Sequence, residues 1–334
     1  MQSSCDFWMK EILLGDTIMI TSETFDQFTV YKYADANSFL YANCTHADAF
    51  MNGLADYILS ETNLLNYANT MTQIPFSPTP QIYKKLYSTI GSFLNNELEL
   101  LTFDNVSNEI RDILGAEFKF VDKDGQTLVQ KDKIGKIGEY TFHVLLSSYY
   151  KVHCIIPKFR CTTDRNMSVF GIDALFFDPV SNTILFGESK VCKNIDNAIT
   201  LINRSLLDYE QQISEEYKLV LSNNDAFNLS DEFLNIFKEH TDICMTFGEF
   251  VKSASIKKLC VPVFIAHGNS EKDNNIETYL KKMTTGIVHQ NYFGLDTEYL
   301  LISLPIIDKV KMMDIIMRKA VIKSNGYRAK RAAI

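Results

Sequence analysis

Long hydrophobic runs are scarce in this chain, and the best candidate, residues 299–307, is only strand length. A membrane-spanning helix needs about 20 mostly apolar residues, so none is expected. The first twenty residues carry Asp6, Lys10, Glu11 and Asp16, which leaves no apolar core for a signal peptide. Cysteine pairing is missing too. The seven cysteines stand at 5, 44, 154, 161, 192, 244 and 260, without a C-x-x-C pair or zinc-finger spacing. Their odd number and scatter predict reduced thiols in a cytoplasmic protein rather than a disulfide framework. There is no G-x-x-x-x-G-K-[ST] loop, no H-E-x-x-H and no G-x-S-x-G elbow. ATP use would therefore have to come from a partner. An excess of positive charge is also lacking, since 33 Lys and Arg against 41 Asp and Glu give −8. Avid, sequence-independent binding to nucleic acid needs clustered cations, so the isolated chain is not expected to show it. A nuclease is not excluded, because a carboxylate site approaches a phosphate only through its metal.

What is present is material for a core: 46% hydrophobic residues, with 23 Phe and 16 Tyr, in 334 residues. That length accommodates one large core or two small ones. Residues 1–115 read as a mainly helical accessory region, with apolar residues at helical spacing over 47–59, 81–94 and 105–114. The three prolines within 73–80 mark a break. From 116 to 334 the order becomes regular. Two short strands, 117–121 and 126–130, are joined by a Lys-Asp-Gly turn. A helix over 134–149 leads to a strand at 152–157 and then to an apolar hairpin. One long amphipathic helix is expected over 194–217, then shorter ones at 231–239 and 247–253. A strand at 259–266, a helix at 276–290, a strand at 299–304 and a helix over 308–323 complete the series. The fold class is α/β (α+β), a mixed sheet flanked by helices. The basic residues Lys319, Lys323, Arg328, Lys330 and Arg331 read as a solvated tail.

The hairpin SVFGIDALFFDPVSNTILFGESKV, residues 168–191, carries the chemistry. Asp173 interrupts one apolar run, and Glu188 and Lys190 interrupt the next. Alternation along a strand puts Glu188 and Lys190 on the face of Ile184 and Phe186. With the turn in 178–182, pairing Phe177 with Ile184 also sets Asp173 opposite Glu188. Two carboxylates and an ammonium then share one side of an otherwise apolar sheet. Burying like charges is costly unless a cation or a function offsets it. Glu139 joins them, because it lies on the helical stripe of Phe142 and Leu146, which faces the sheet.

This order of elements, with Gly171-Ile172-Asp173 on one strand and Glu188-Ser189-Lys190 on the next, resembles the restriction-endonuclease-like core of the PD-(D/E)XK nuclease superfamily. Glu139 matches the acidic residue often found on its first helix. The proline that names the motif is replaced by Ile172, at a position that varies across the superfamily. The runs GEYTFHVLL, IPKF, FGIDALFF, LFGESKV and VPVFIAHG resemble, more narrowly, the family of the Hachiman anti-phage nuclease subunit, HamA. The resemblance implies a defence effector that acts beside a superfamily-2 helicase (HamB-like) and degrades DNA without strong sequence preference.

By this resemblance Glu139, Asp173, Glu188 and the carbonyl of Ser189 would hold Mg²⁺ or Mn²⁺, hard ions that suit oxygen donors. Lys190 would orient the attacking water or steady the developing oxyanion. An ammonium beside carboxylates is favoured in its charged form, which points to the electrostatic role. Gln212, Arg204 and Lys193 are auxiliary candidates for DNA contact, while Tyr209 fits the apolar stripe of its helix. His143, His153 and His267 read as packing or surface residues, and Cys154, Cys161 and Cys192 as small core hydrophobes. Two other readings stay open: an inactive nuclease-fold binding subunit, and a stand-alone restriction or repair endonuclease.

Overall fold

The computed structural model describes residues 20–41, 47–72, 79–87, 101–103, 120–123, 126–129, 135–157, 173–192, 194–222, 231–240, 245–268 and 276–306, apart from 85 and 179, with scattered positions over 311–326. Three strands come first: β1 (Thr21–Phe25), β2 (Phe28–Tyr33) and β3 (Ala36–Tyr41). Helices α1 (Ala47–Ile58) and α2 (Glu61–Thr72) follow, then short strands β4 (Leu101–Phe103), β5 (Phe120–Lys123) and β6 (Gln126–Val129). The remainder runs α3 (Gly135–Ser148), β7 (His153–Pro157), β8 (Ala174–Asp178), β9 (Thr183–Cys192), α4 (Ile195–Leu207) and α5 (Tyr209–Ser222). It continues with α6 (Asp231–His240), α7 (Phe247–Ser253), β10 (Lys258–His267), α8 (Ile276–Gly286) and β11 (Asp296–Pro305).

Eight strands form one mixed sheet in the order β1-β2-β3-β11-β10-β9-β8-β7, and β4-β6-β5 form a small second one. Strands β9, β10, β11 and β3 are parallel, while the hairpins at either side are antiparallel. Parallel strands covered on both faces read as continuous apolar runs, and KLCVPVFIAH in β10 does so. One face packs α1 and α3 through Phe50, Leu54, Phe142 and Leu146. The other packs α4, α5, α7 and α8 through Ile202, Tyr209, Phe250 and Leu280. The Phe142 ring stacks on Phe264 at 5.5 Å between centroids. The Tyr140 hydroxyl donates to the Ile58 carbonyl at 2.6 Å, tying α3 to the end of α1.

Gly138 sets how closely α3 lies on the sheet. A Cβ there would stand 2.3 Å from Val191 Cγ2, so the first turns of the helix rest directly on β9.

The mixed sheet flanked by helices is the fold class the sequence predicts. Three features differ in detail. Within the portion read as mainly helical, residues 21–41 supply strands that extend the main sheet through β3 on β11. The long helix expected over 194–217 breaks at Asp208, whose φ of −103° and ψ of 18° leave the helix. Both halves carry the same apolar stripe, so periodicity could not mark the break. Helix α8 stops at Gly286, before the expected 290. Asn203 holds its end, donating to the Gly286 carbonyl at 2.8 Å and accepting from Val288 N–H at 3.0 Å.

The basic residues near the C-terminus are not all a solvated tail. Lys319 pairs with Asp56 at 2.9 Å, and Lys323 donates to the Leu59 carbonyl at 3.2 Å, at the end of α1. Arg328, Lys330 and Arg331 lie outside the described residues, as do the helix expected at 105–114 and the break over 73–78. Among the described residues no helix is long and apolar enough to cross a membrane.

Candidate active site

The site forms where β8 and β9 pair. The loop between them is local: Asp178 accepts from Val180 N–H at 3.1 Å and from the Ser181 hydroxyl at 2.7 Å, and Asn182 turns with φ of 49°. A short polar side chain at the head of a turn makes such bonds readily. The loop pairs Phe177 with Ile184, the register that the alternation of residues predicts. Asp173 lies just before β8, and its N–H still reaches the Gly187 carbonyl at 2.9 Å. The ladder is thus extended by one residue and delivers the carboxylate to β9.

That carboxylate is held tightly. Asp173 Oδ2 accepts from both the backbone N–H and the hydroxyl of Ser189, each at 2.7 Å. Glu188, 3% exposed, is buried beside it and pairs with the Lys190 ammonium. Burial pushes the Glu188 pKa up, and the charge of Asp173 pushes it further. Lys190 pulls it back down, and so does a hydrogen bond with Ser205 on α4. The lysine side chain remains 26% exposed, so its amine stands between the buried acid and solvent.

Tyr209, the first residue of α5, is fully buried, and its hydroxyl donates to the Phe186 carbonyl at 2.6 Å. Burial holds its phenol far above the ordinary tyrosine range, with the charges of Glu188 and Asp173 adding to the effect. The sequence assigned Tyr209 to an apolar stripe. The ring does lie in that core, and its hydroxyl in addition bonds the backbone of β9 two residues before Glu188. Ser205 was missed altogether, because a serine four residues before a tyrosine on a helix carries no signal of its own.

Asp173, Glu188 and Lys190 are brought together. Glu139 is half-buried on α3, next to the Gly138–Val191 contact over the end of β9. Among the described residues no three His, Cys, Asp or Glu side chains cluster closely enough to enclose a metal ion. Gln212 turns its amide to the Ser205 carbonyl at 3.4 Å, Arg204 is exposed, and Lys193 lies outside the described residues. His143 and His267 are buried, and burial lowers both pKa values to about 4. Cys154 is buried and Cys192 half-buried.

No curated protein and no solved structure shows significant similarity to the chain. The family model HamA matches residues 20–320, nearly the whole chain, so it spans the N-terminal strands as well as the acidic hairpin. The chain therefore belongs to the HamA family, a subunit of Hachiman anti-phage defence systems.

Proposed function

We propose that this chain is the metal-dependent nuclease of a Hachiman-type complex. In this reading it hydrolyses DNA phosphodiester bonds without strong sequence preference beside a superfamily-2 helicase, inside the cytoplasm. The acidic pair carries the reading: Asp173 and Glu188 stand close enough for one charge to raise the other's pKa, with Lys190 as the facing cation. Burying a carboxylate beside a second one costs stability, and a bound divalent cation would offset that cost.

Two neighbouring carboxylates are oxygen donors of the kind a hard divalent cation takes, and Glu139 would have to close on the pair to complete the set. Asp173 and Glu188 would hold Mg²⁺ or Mn²⁺, with the Ser189 carbonyl and Glu139 as the remaining protein ligands. When bound, the ion supplies a Lewis acid for the phosphate and an acidified water as nucleophile. The other tasks belong to the chain. Ser189 fixes the Asp173 carboxylate through two donors, so that it cannot swing away. Ser205 and the Tyr209–Phe186 bond hold the Glu188 stretch of β9 in place. Lys190, paired with Glu188 and 26% exposed, is the cation of the arrangement that reaches solvent. With a divalent cation held by the carboxylates, the Lys190 ammonium would be placed to face the phosphate and steady charge in the transition state. A preorganised donor of this kind is typically worth about 3–4 kcal/mol. Arg204, exposed on α4, is available for the DNA backbone.

Degradation of plasmid DNA with Mg²⁺, by the chain alone and with its helicase, tests the reading. Wild type should cleave, and Glu188→Ala and Lys190→Ala should each abolish cleavage while circular dichroism stays unchanged. Undiminished cleavage by both variants would remove the site. Absence of cleavage by wild type in the complex would favour a nuclease-like fold kept as a binding subunit.

A further inference from the structure

The two residues that support the acidic pair from the helical side, Ser205 and Tyr209, flank the break between α4 and α5. That break has its own lock. The Leu206 carbonyl, on a residue only 1% exposed, accepts from Asp208 N–H, from Gln290 Nε2 at 2.6 Å and from the Tyr292 hydroxyl at 3.1 Å. Gln290 spends its second amide proton on the Tyr292 hydroxyl, 2.9 Å away. Its backbone is clamped as well: its N–H donates to the Tyr299 hydroxyl at 3.1 Å, and that hydroxyl lies 3.0 Å from its carbonyl. On the α5 side, Glu210 accepts from Phe293 N–H. A single stretch between α8 and β11 thus grips the last turn of α4 and the first turn of α5.

We propose that Gln290 is a positioning residue for the acidic site, locking the α4–α5 elbow so that Ser205 stays on Glu188 and Tyr209 on Phe186. Without Gln290 the Leu206 carbonyl keeps Asp208 N–H and the Tyr292 hydroxyl but loses the side-chain amide that ties it to the stretch before β11, so the elbow is held less firmly. Displacing Ser205 removes a hydrogen bond from Glu188, and displacing Tyr209 loosens β9 two residues upstream of it. The inference rests on the nuclease reading for its catalytic consequence, but not for its geometry.

The test uses the full chain with 3-fluorotyrosine placed at position 209 and observed by ¹⁹F NMR. Gln290→Met keeps the length and removes the donor, and Gln290→Glu keeps the shape and removes the donor, so one substitutes if the other folds poorly. Thr246→Ala, which removes the capping box of the neighbouring helix α7, is the control for general loosening. The position-209 resonance should shift in the Gln290 variant and not in the control. In the Mg²⁺-dependent DNA assay kcat should fall about tenfold with KM unchanged, the mark of lost positioning rather than lost substrate binding. A position-209 resonance identical to wild type in the Gln290 variants overturns the proposal, whatever the DNA assay reads. Failure of wild type to cleave DNA would instead count against the nuclease reading, with the resonance still deciding the lock.

Discussion

The carboxylate of Asp173 rests on Ser189 through two hydrogen bonds of 2.7 Å, one from the backbone and one from the hydroxyl. An acid just before one strand is thereby fixed to the middle of the motif on the next. The serine between Glu188 and Lys190 is thus more than a spacer.

Ser189→Ala separates the two bonds. The backbone donor stays, so the fold should lose only about 1 kcal/mol in urea unfolding, the usual worth of one hydrogen bond. DNA cleavage should fall more steeply than stability, because Asp173 gains freedom where placement matters. Full activity in Ser189→Ala would show that the hydroxyl bond plays no part in the site.

Tyr209→Phe tests the bond that α5 makes to β9. It leaves the Phe186 carbonyl without its phenol donor at a fully buried position. A cost of roughly 1–3 kcal/mol is expected for an orphaned buried acceptor. A shift in the urea midpoint no larger than that of an exposed Tyr→Phe change would contradict the assignment.

Gly138→Ala probes the approach of α3 to the sheet. The added methyl would meet Val191 Cγ2 at 2.3 Å, so overpacking should cost on the order of 1–3 kcal/mol. Val191→Ala in the same chain should restore part of that loss, a coupling that a double-mutant cycle measures directly. Additive effects would mean that the two residues do not touch.

Stability should also depend on two buried histidines. Burial lowers the pKa of His143 and His267 to about 4, so the folded chain binds fewer protons than the unfolded one below the ordinary histidine value. Their contribution is complete above roughly pH 6.5 and is lost as pH falls towards 4, on the order of 3 kcal/mol for each. The raised pKa of Glu188 works in the opposite sense, its folded form holding a proton more readily than its unfolded form. Urea midpoints between pH 7 and pH 4 should therefore decline, and His267→Gln should flatten the decline by about half. An equal slope in that variant would show that His267 does not contribute.

How much of this could be read from the residues follows from the range of the contacts involved. The β8–β9 register was legible because the hairpin closes over a few residues, and the Asp178 turn fixes it. Alternation then carried Asp173 to Glu188. The place of β3 beside β11 was not legible, because Ala36 and Leu301 meet across most of the chain, and no local pattern announces a parallel neighbour. The break at Asp208 was hidden for a related reason. The side chains bonded to the carbonyl beside it, Gln290 and Tyr292, lie far along the sequence, whereas the stripe around it is uninterrupted. Ser205 and the bond from the Tyr209 hydroxyl to Phe186 could be found only from that tertiary arrangement.

The most direct test of the central claim is binding of Mn²⁺ to the full chain, followed by electron paramagnetic resonance, without DNA or helicase. Wild type should take up the ion, while Glu188→Gln and Asp173→Asn, each nearly unchanged in volume, should each lose at least most of that affinity. Equal Mn²⁺ uptake by wild type and both variants would place the metal elsewhere and contradict the account.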